Sequence, residues 1–119
     1  MIAEVNKDGP HIVIRLKGYL SFENTSTVKN YLEEIYRREK EASVIIDLSD
    51  LEFVGSSGIS QMVKKLLCFN QLKNKPTYTG LRQEFTRIFK VFEEEAGFEI
   101  FENTEEAKQK IRLRSLGVS

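Results

Sequence analysis

Val44-Ile-Ile-Asp47-Leu-Ser-Asp50-Leu-Glu-Phe-Val-Gly55-Ser56-Ser57-Gly58-Ile59 is the stretch on which the fold turns. Val44 to Leu48 is a short apolar run rich in β-branched residues, a composition that suits a strand buried on both faces. Gly55-Ser56-Ser57-Gly58 is a tight turn of small residues. Behind it Ile59, Met62, Val63, Leu66 and Leu67 recur at helical spacing, so the turn opens an amphipathic helix. Strand, turn and helix N-terminus together bring two hydroxyls to a place where unpaired backbone N–H groups converge, a setting that tolerates an anion. Asp47 and Asp50 flank the end of the strand, and are expected to hydrogen-bond the turn amides and hold the loop.

On the N-terminal side, Met1 to Val5 reads as a weak strand. Asn6-Lys-Asp-Gly-Pro10 is dense in turn formers, and Asp8-Gly9 is a hairpin signal. A second strand follows, with Ile12, Ile14 and Leu16 alternating with Val13, Arg15 and Lys17. Ser21 is placed to cap a helix from about Glu23 to Lys40, whose buried stripe is Val28, Tyr31, Leu32, Ile35 and Tyr36.

On the C-terminal side, the helix after the Ser-Ser turn is expected to end near Lys73 or Asn74, stopped by Lys75-Pro76. Thr77-Tyr-Thr79 makes a short strand, and Gly80 to Glu84 a loop. Phe85, Ile88, Phe89 and Phe92 mark a further amphipathic helix ending at Gly97. Glu93-Glu94-Glu95 near its end reads as a solvated face, with an acidic partner-choosing rim as the alternative. Phe98 to Phe101 is the last strand. Asn103 or Thr104 caps a final, peripheral helix with Ala107 and Ile111 on its buried side, and the tail after Arg114 frays. The order of elements implies one α/β domain over residues 1–119: a mixed sheet with a parallel core and an N-terminal antiparallel hairpin, packed with about four helices.

Composition narrows the function. The 119 residues suffice for one domain with one core, and 40% hydrophobic with 30% charged residues is ordinary for a soluble protein. No apolar run approaches the roughly 20 residues of a membrane helix, so no membrane insertion is expected. Met1-Ile-Ala-Glu-Val-Asn-Lys lacks the character of a signal peptide, which makes the expected location cytoplasmic. The single cysteine, Cys68, agrees with a reducing compartment and reads as packing. Eighteen basic and eighteen acidic residues cancel. Lys108, Lys110, Arg112 and Arg114 divide between two sides of the last helix, and so form a solvated surface rather than a stripe that tracks nucleic acid.

Catalysis finds little support. Gly-Ser-Ser-Gly is not the Gly-x-Ser-x-Gly of a nucleophile elbow, and the one histidine, His11, opens the second strand far from Ser56, where it reads as an exposed strand residue. Neither glycine-rich nucleotide loop is present, and one His with one Cys offers no metal site. No activity, cofactor or metal is expected.

Asp47 to Ile59 resembles the signature loop of the STAS domain, a family named for sulfate transporters and anti-sigma-factor antagonists. The whole order of elements is similar to that family too, and Gly18-Tyr-Leu-Ser21 resembles its Gly-x-Leu-Asp element. The resemblance implies that Ser56 matches the serine phosphorylated in the bacterial antagonists and Ser57 its neighbour, the alternative acceptor. Gly55 stands where the family usually has Asp. Asp47, Asp50, Gly55, Ser56, Ser57 and Gly58 would then form a switch loop, and Ser60, Gln61, Lys64 and Lys65 an outward helix face for a partner. On the same resemblance that partner is an anti-sigma factor with serine kinase activity, which holds its own ATP, and a serine phosphatase resets the switch. The alternative is a STAS module that is never phosphorylated, serving as an interaction or ligand-sensing subunit in a lipid-transport or signalling complex.

Overall fold

The computed structural model describes residues 2–21, 24–53, 55–66, 69, 75–83, 86–87 and 99–115, with the backbone alone at 53, 55–60, 114 and 115. Five strands form one sheet in the order β1-β2-β3-β4-β5: Ile2–Asp8, His11–Leu20, Ser43–Phe53, Thr77–Thr79 and Glu99–Phe101. β1 and β2 are antiparallel, and every later pairing is parallel. The expected hairpin and parallel core are therefore both present. Among the described residues there are three helices, α1 (Thr25–Arg38), α2 (Gly55–Leu66) and α3 (Thr104–Ser115), against an expected count of about four. The helix expected around Phe85, Ile88, Phe89 and Phe92 lies outside the described residues. So do Glu93-Glu94-Glu95, Cys68, Leu67 and the expected end of α2 near Lys73.

The apolar alternation of the strands sets the layers. Ile12, Ile14, Leu16 and Leu20 of β2 and Val44, Ile46 and Leu48 of β3 point to one side. There they pack with Val28, Leu32 and Tyr36 of α1 and Met62, Val63 and Leu66 of α2. Val13 and Ile45 point to the other side, against Ala107 of α3 with Phe101 and Ile111 beside them. Val44, Ile45 and Ile46 are almost completely buried, as a central strand covered on both faces requires. Tyr36 stacks on Phe69 at a centroid distance of 5.3 Å, closing the end of the larger core.

β3 runs further than the apolar run suggests, to Phe53, because a bulge carries it past Asp47. Arg15 pairs with Asp47 and Lys17 with Asp50, so Leu48 and Ser49 together oppose Leu16. The extra residue resets the alternation: Leu51, which would otherwise face the opposite side from Leu48, joins the same core.

The start of α1 differs from expectation. Asn24, not Ser21, is the N-cap residue, and it makes no side-chain cap bond. Its amide is spent on the preceding chain instead: the Ser21 N–H donates to Asn24 Oδ1 at 2.9 Å, and Asn24 Nδ2 donates to the Tyr19 carbonyl at 3.1 Å. At α3 the cap is as expected, with the Glu106 N–H donating to Asn103 Oδ1 at 2.9 Å.

Candidate functional site

The site is assembled at the C-terminal ends of β3 and β4, where the parallel strands hand over to the helices. Ligand and partner sites of open α/β sheets commonly lie at this edge. Gly55, Ser56, Ser57 and Gly58 are already helical, forming the first turn of α2 rather than a turn before it. With only residue 54 between the end of β3 and Gly55, both serines fall among amides that have no intrahelical acceptor.

Asp47 braces the strand that delivers this turn. Its side chain is 7% exposed. Oδ1 accepts the Ser49 N–H at 2.9 Å and the Ser49 hydroxyl at 2.7 Å, while Oδ2 accepts from Arg15 Nε at 3.1 Å. The amide it fixes is that of Ser49, on the bulge within β3, rather than one in the 55–58 turn. Asp50 is exposed and pairs through its backbone with Lys17.

Sequence reasoning missed two residues at this edge. Arg15 lies on the polar side of an alternating strand, and its register opposite Asp47 makes it the carboxylate's partner. Gly80 follows β4 with a φ of +70°, and a β-carbon there would lie 2.8 Å from Ser49 Cβ and 2.9 Å from Asp47 Oδ1. Glycine's bare backbone thus lets β4 close on the Asp47–Ser49 bulge, and the Gly80 N–H donates to the Glu102 carbonyl at 3.2 Å.

On α2, Met62, Val63 and Leu66 are buried as expected, and Lys64 is exposed. Gln61 is half-buried. Lys65 is half-buried too, and its ammonium donates to the Ser26 hydroxyl of α1. The proposed partner face is therefore not a row of free side chains, since Lys65 links the two helices.

His11 corrects another expectation. Far from being exposed, it is only 4% accessible, and its Nδ1 has no hydrogen-bond partner. It sits at the opposite end of the sheet, beside a pocket of about 330 Å³ lined by Asp8, Pro10, Ser43, Ile111 and Arg112. Burial lowers its pKa, with the Lys108 charge adding to the effect and Asp8 opposing it. His11 and Ser56 thus belong to different ends of the molecule. Among the described residues no cluster of His, Cys, Asp and Glu could hold a metal ion. None of the described helices is long and apolar enough to cross a membrane.

The mixed sheet with its parallel core, the bulged central strand and the Ser-Ser helix start define the class. Residues 3–107 match the family model of the STAS domain, and the chain belongs to that family. Solved structures with the same fold include the cell fate determinant SpoIIAA of Bacillus in its phosphorylated form, at 16% identity and a TM-score of 0.63 over 92% of this chain and 99% of that one. An anti-sigma factor antagonist from Mycobacterium paratuberculosis is 16% identical, with a TM-score of 0.72 over 93% of each chain. A serine-to-glutamate variant of RsbS from Moorella thermoacetica is 15% identical, with a TM-score of 0.73 over 95% of this chain and 97% of that one. No curated protein matches the sequence.

Proposed function

We propose that this STAS protein is a regulator of the anti-sigma-factor-antagonist type. Unmodified, it binds a partner anti-sigma factor that is also a serine kinase; phosphorylation of Ser56 ends the binding, and a phosphatase restores it. The chain is substrate and binding partner, with no catalysis and no cofactor of its own, and works in the cytoplasm. The observation that carries this reading is the position of Ser56 in the first turn of α2, directly after the bulged strand β3. A phosphate there meets unpaired amides and the positive end of the helix dipole, so the domain can accept it without refolding. The cost falls on the partner contact, where a group of about −1.5 to −2 charge must lose water.

The test is intact mass and phosphopeptide mapping of the protein from its own cells. One phosphate on Ser56 supports the switch. A second reading, a STAS module that is never phosphorylated and serves as a fixed interaction or ligand-sensing subunit, is favoured by Gly55 in place of the family's usual Asp. It predicts an unmodified mass under every growth condition.

A further inference from the structure

The sheet has two edges of unequal kind. β5 is three residues long, whereas β1 has seven and is exposed along almost its whole length, Ile2 at 64% and Val5 at 47%. Two of the devices that stop an edge strand from pairing with another chain, a proline and a bulge, are missing here, and the strand's charges are paired within the chain. Ile2–Asp8 contains no proline, and its pairing with β2 has no register shift. Its charges are each neutralised within the chain: Glu4 by Lys17 at 3.0 Å, Lys7 by Glu39 at 2.5 Å and Asp8 by Lys108 at 2.5 Å.

The backbone pattern shows which groups are open. Asp8 pairs with His11 across the two-residue turn of Gly9, with a φ of +59°, and Pro10. Such a turn closes on a hydrogen-bonded pair, and bonded and non-bonded pairs then alternate along the hairpin. Ile2, Glu4, Asn6 and Asp8 bond to β2, while the N–H and C=O groups of Ala3, Val5 and Lys7 face outward.

We propose that β1 is the docking surface for a second copy of this chain, pairing antiparallel with its own equivalent about a two-fold axis through Val5 and joining two sheets into one. Residues opposed in an antiparallel pair share a face, so the possible self-pairings differ by steps of two. Centred on Val5, the pairing sets valine against valine, Ala3 against Lys7, Glu4 against Asn6 and Ile2 against Asp8. All three outward-facing residues are bonded and no two like charges meet. Centring on Glu4 would oppose two glutamates, and centring on Asn6 would oppose Glu4 and Asp8, both destabilising. Val5 also lines a groove of about 490 Å³ whose apolar residues Ile12, Tyr31 and Ile35 are rimmed by Lys7, Glu34, Arg38 and Glu39, so the apposed valines lie beside its apolar part. The self-complementary register favours a second copy over a different partner, and the zero net charge of the chain leaves no overall repulsion between copies to oppose it.

Sedimentation equilibrium across a concentration series, combined with amide hydrogen exchange, tests the pairing. The unmodified chain should rise toward twice its single-chain mass. At high concentration the amides of Ala3, Val5 and Lys7 should exchange at least about tenfold more slowly, and those of Glu4 and Asn6 should not change. Val5→Lys opposes two ammonium groups at the axis, and should stay at single-chain mass while melting like the dilute unmodified chain. Should that variant fail to fold, the exchange pattern of the unmodified chain decides. A single-chain mass at every concentration overturns the proposal, as do a folded Val5→Lys variant that still doubles, an open-ended oligomer, or protection that spares those three amides.

Discussion

His11 links the chain's stability to pH. Its pKa is lowered from the usual 6.5 because burial disfavours the charged ring, Lys108 and Arg112 add to the effect, and only Asp8 opposes it. In the unfolded chain the ring takes a proton as pH falls through 6.5, whereas the folded ring stays neutral to lower pH. The contribution of His11 is therefore present above its unfolded pKa and is lost as pH falls toward its folded one. The Asp8 carboxyl, held below its usual 3.8 by Lys108, does not titrate in this window. Thermal midpoints should fall as pH drops below 6.5, and His11→Phe should flatten that slope; an equal slope in the variant would assign the effect to other groups. At Gly80, a β-carbon meets Ser49 and Asp47 at about van der Waals overlap, and the φ of +70° is strained for any other residue. Gly80→Ala should cost about 1–3 kcal/mol in denaturant unfolding, far more than a surface glycine would. Neither residue's role was legible in the sequence. The alternation of Ile12, Ile14 and Leu16 correctly marks His11 as facing the other side of the sheet. That side is covered by Ile111 and Arg112, and no local pattern announces which strand residues a distant helix will cover.

The elements were far more legible than their ends. α1 and α2 each carry a strong helical period and β3 a continuous apolar run, and the buried residues of the two helices match the expected stripes where described. The boundaries moved wherever a side chain competed for backbone groups. Asn24 took over the start of α1 from Ser21 by bonding back to Ser21 and Tyr19, and Asp47 bonded Ser49 so that β3 could bulge and continue. Both are bonds between a side chain and the nearby backbone, and propensity alone does not choose among the several Ser, Asn and Asp residues able to make them. α3 offers the clearest measurable case. Its buried side is small, Ala107 and Ile111, so the cap at Asn103 carries much of its definition. Asn103→Ala should lower stability by about 0.5–2 kcal/mol, and faster amide exchange should appear first within α3. Unchanged unfolding would mean that packing alone holds the helix.

At the scale of the molecule, the two ends of the sheet are assigned different work. The N-terminal end of the parallel strands holds His11 beneath α3, while the C-terminal end presents the start of α2 and the Asp47 brace. The family was legible because Asp47 to Ile59 joins a buried strand to a Ser-Ser helix start within an order of strands that the sheet topology reproduces. A phosphate on Ser56 should leave this architecture standing, since an anion at a helix N-terminus is favoured by roughly 0.3–1 kcal/mol. Ser56→Asp should accordingly fold and melt like the unmodified chain but bind the proposed partner kinase more weakly, the loss being partial because Asp is a shorter and singly charged mimic. Ser56→Ala should bind and never be modified, and Ser57→Ala should still accept phosphate at Ser56. On the adjoining helix face, Lys64→Glu with Lys65→Glu should weaken the partner contact, at a small stability cost from the lost Lys65–Ser26 bond. The most direct measurement is phosphopeptide mapping after incubation with the cognate kinase. Phosphate on Ser56 is the predicted result, and phosphate on Ser57 or no phosphate at all would contradict the switch.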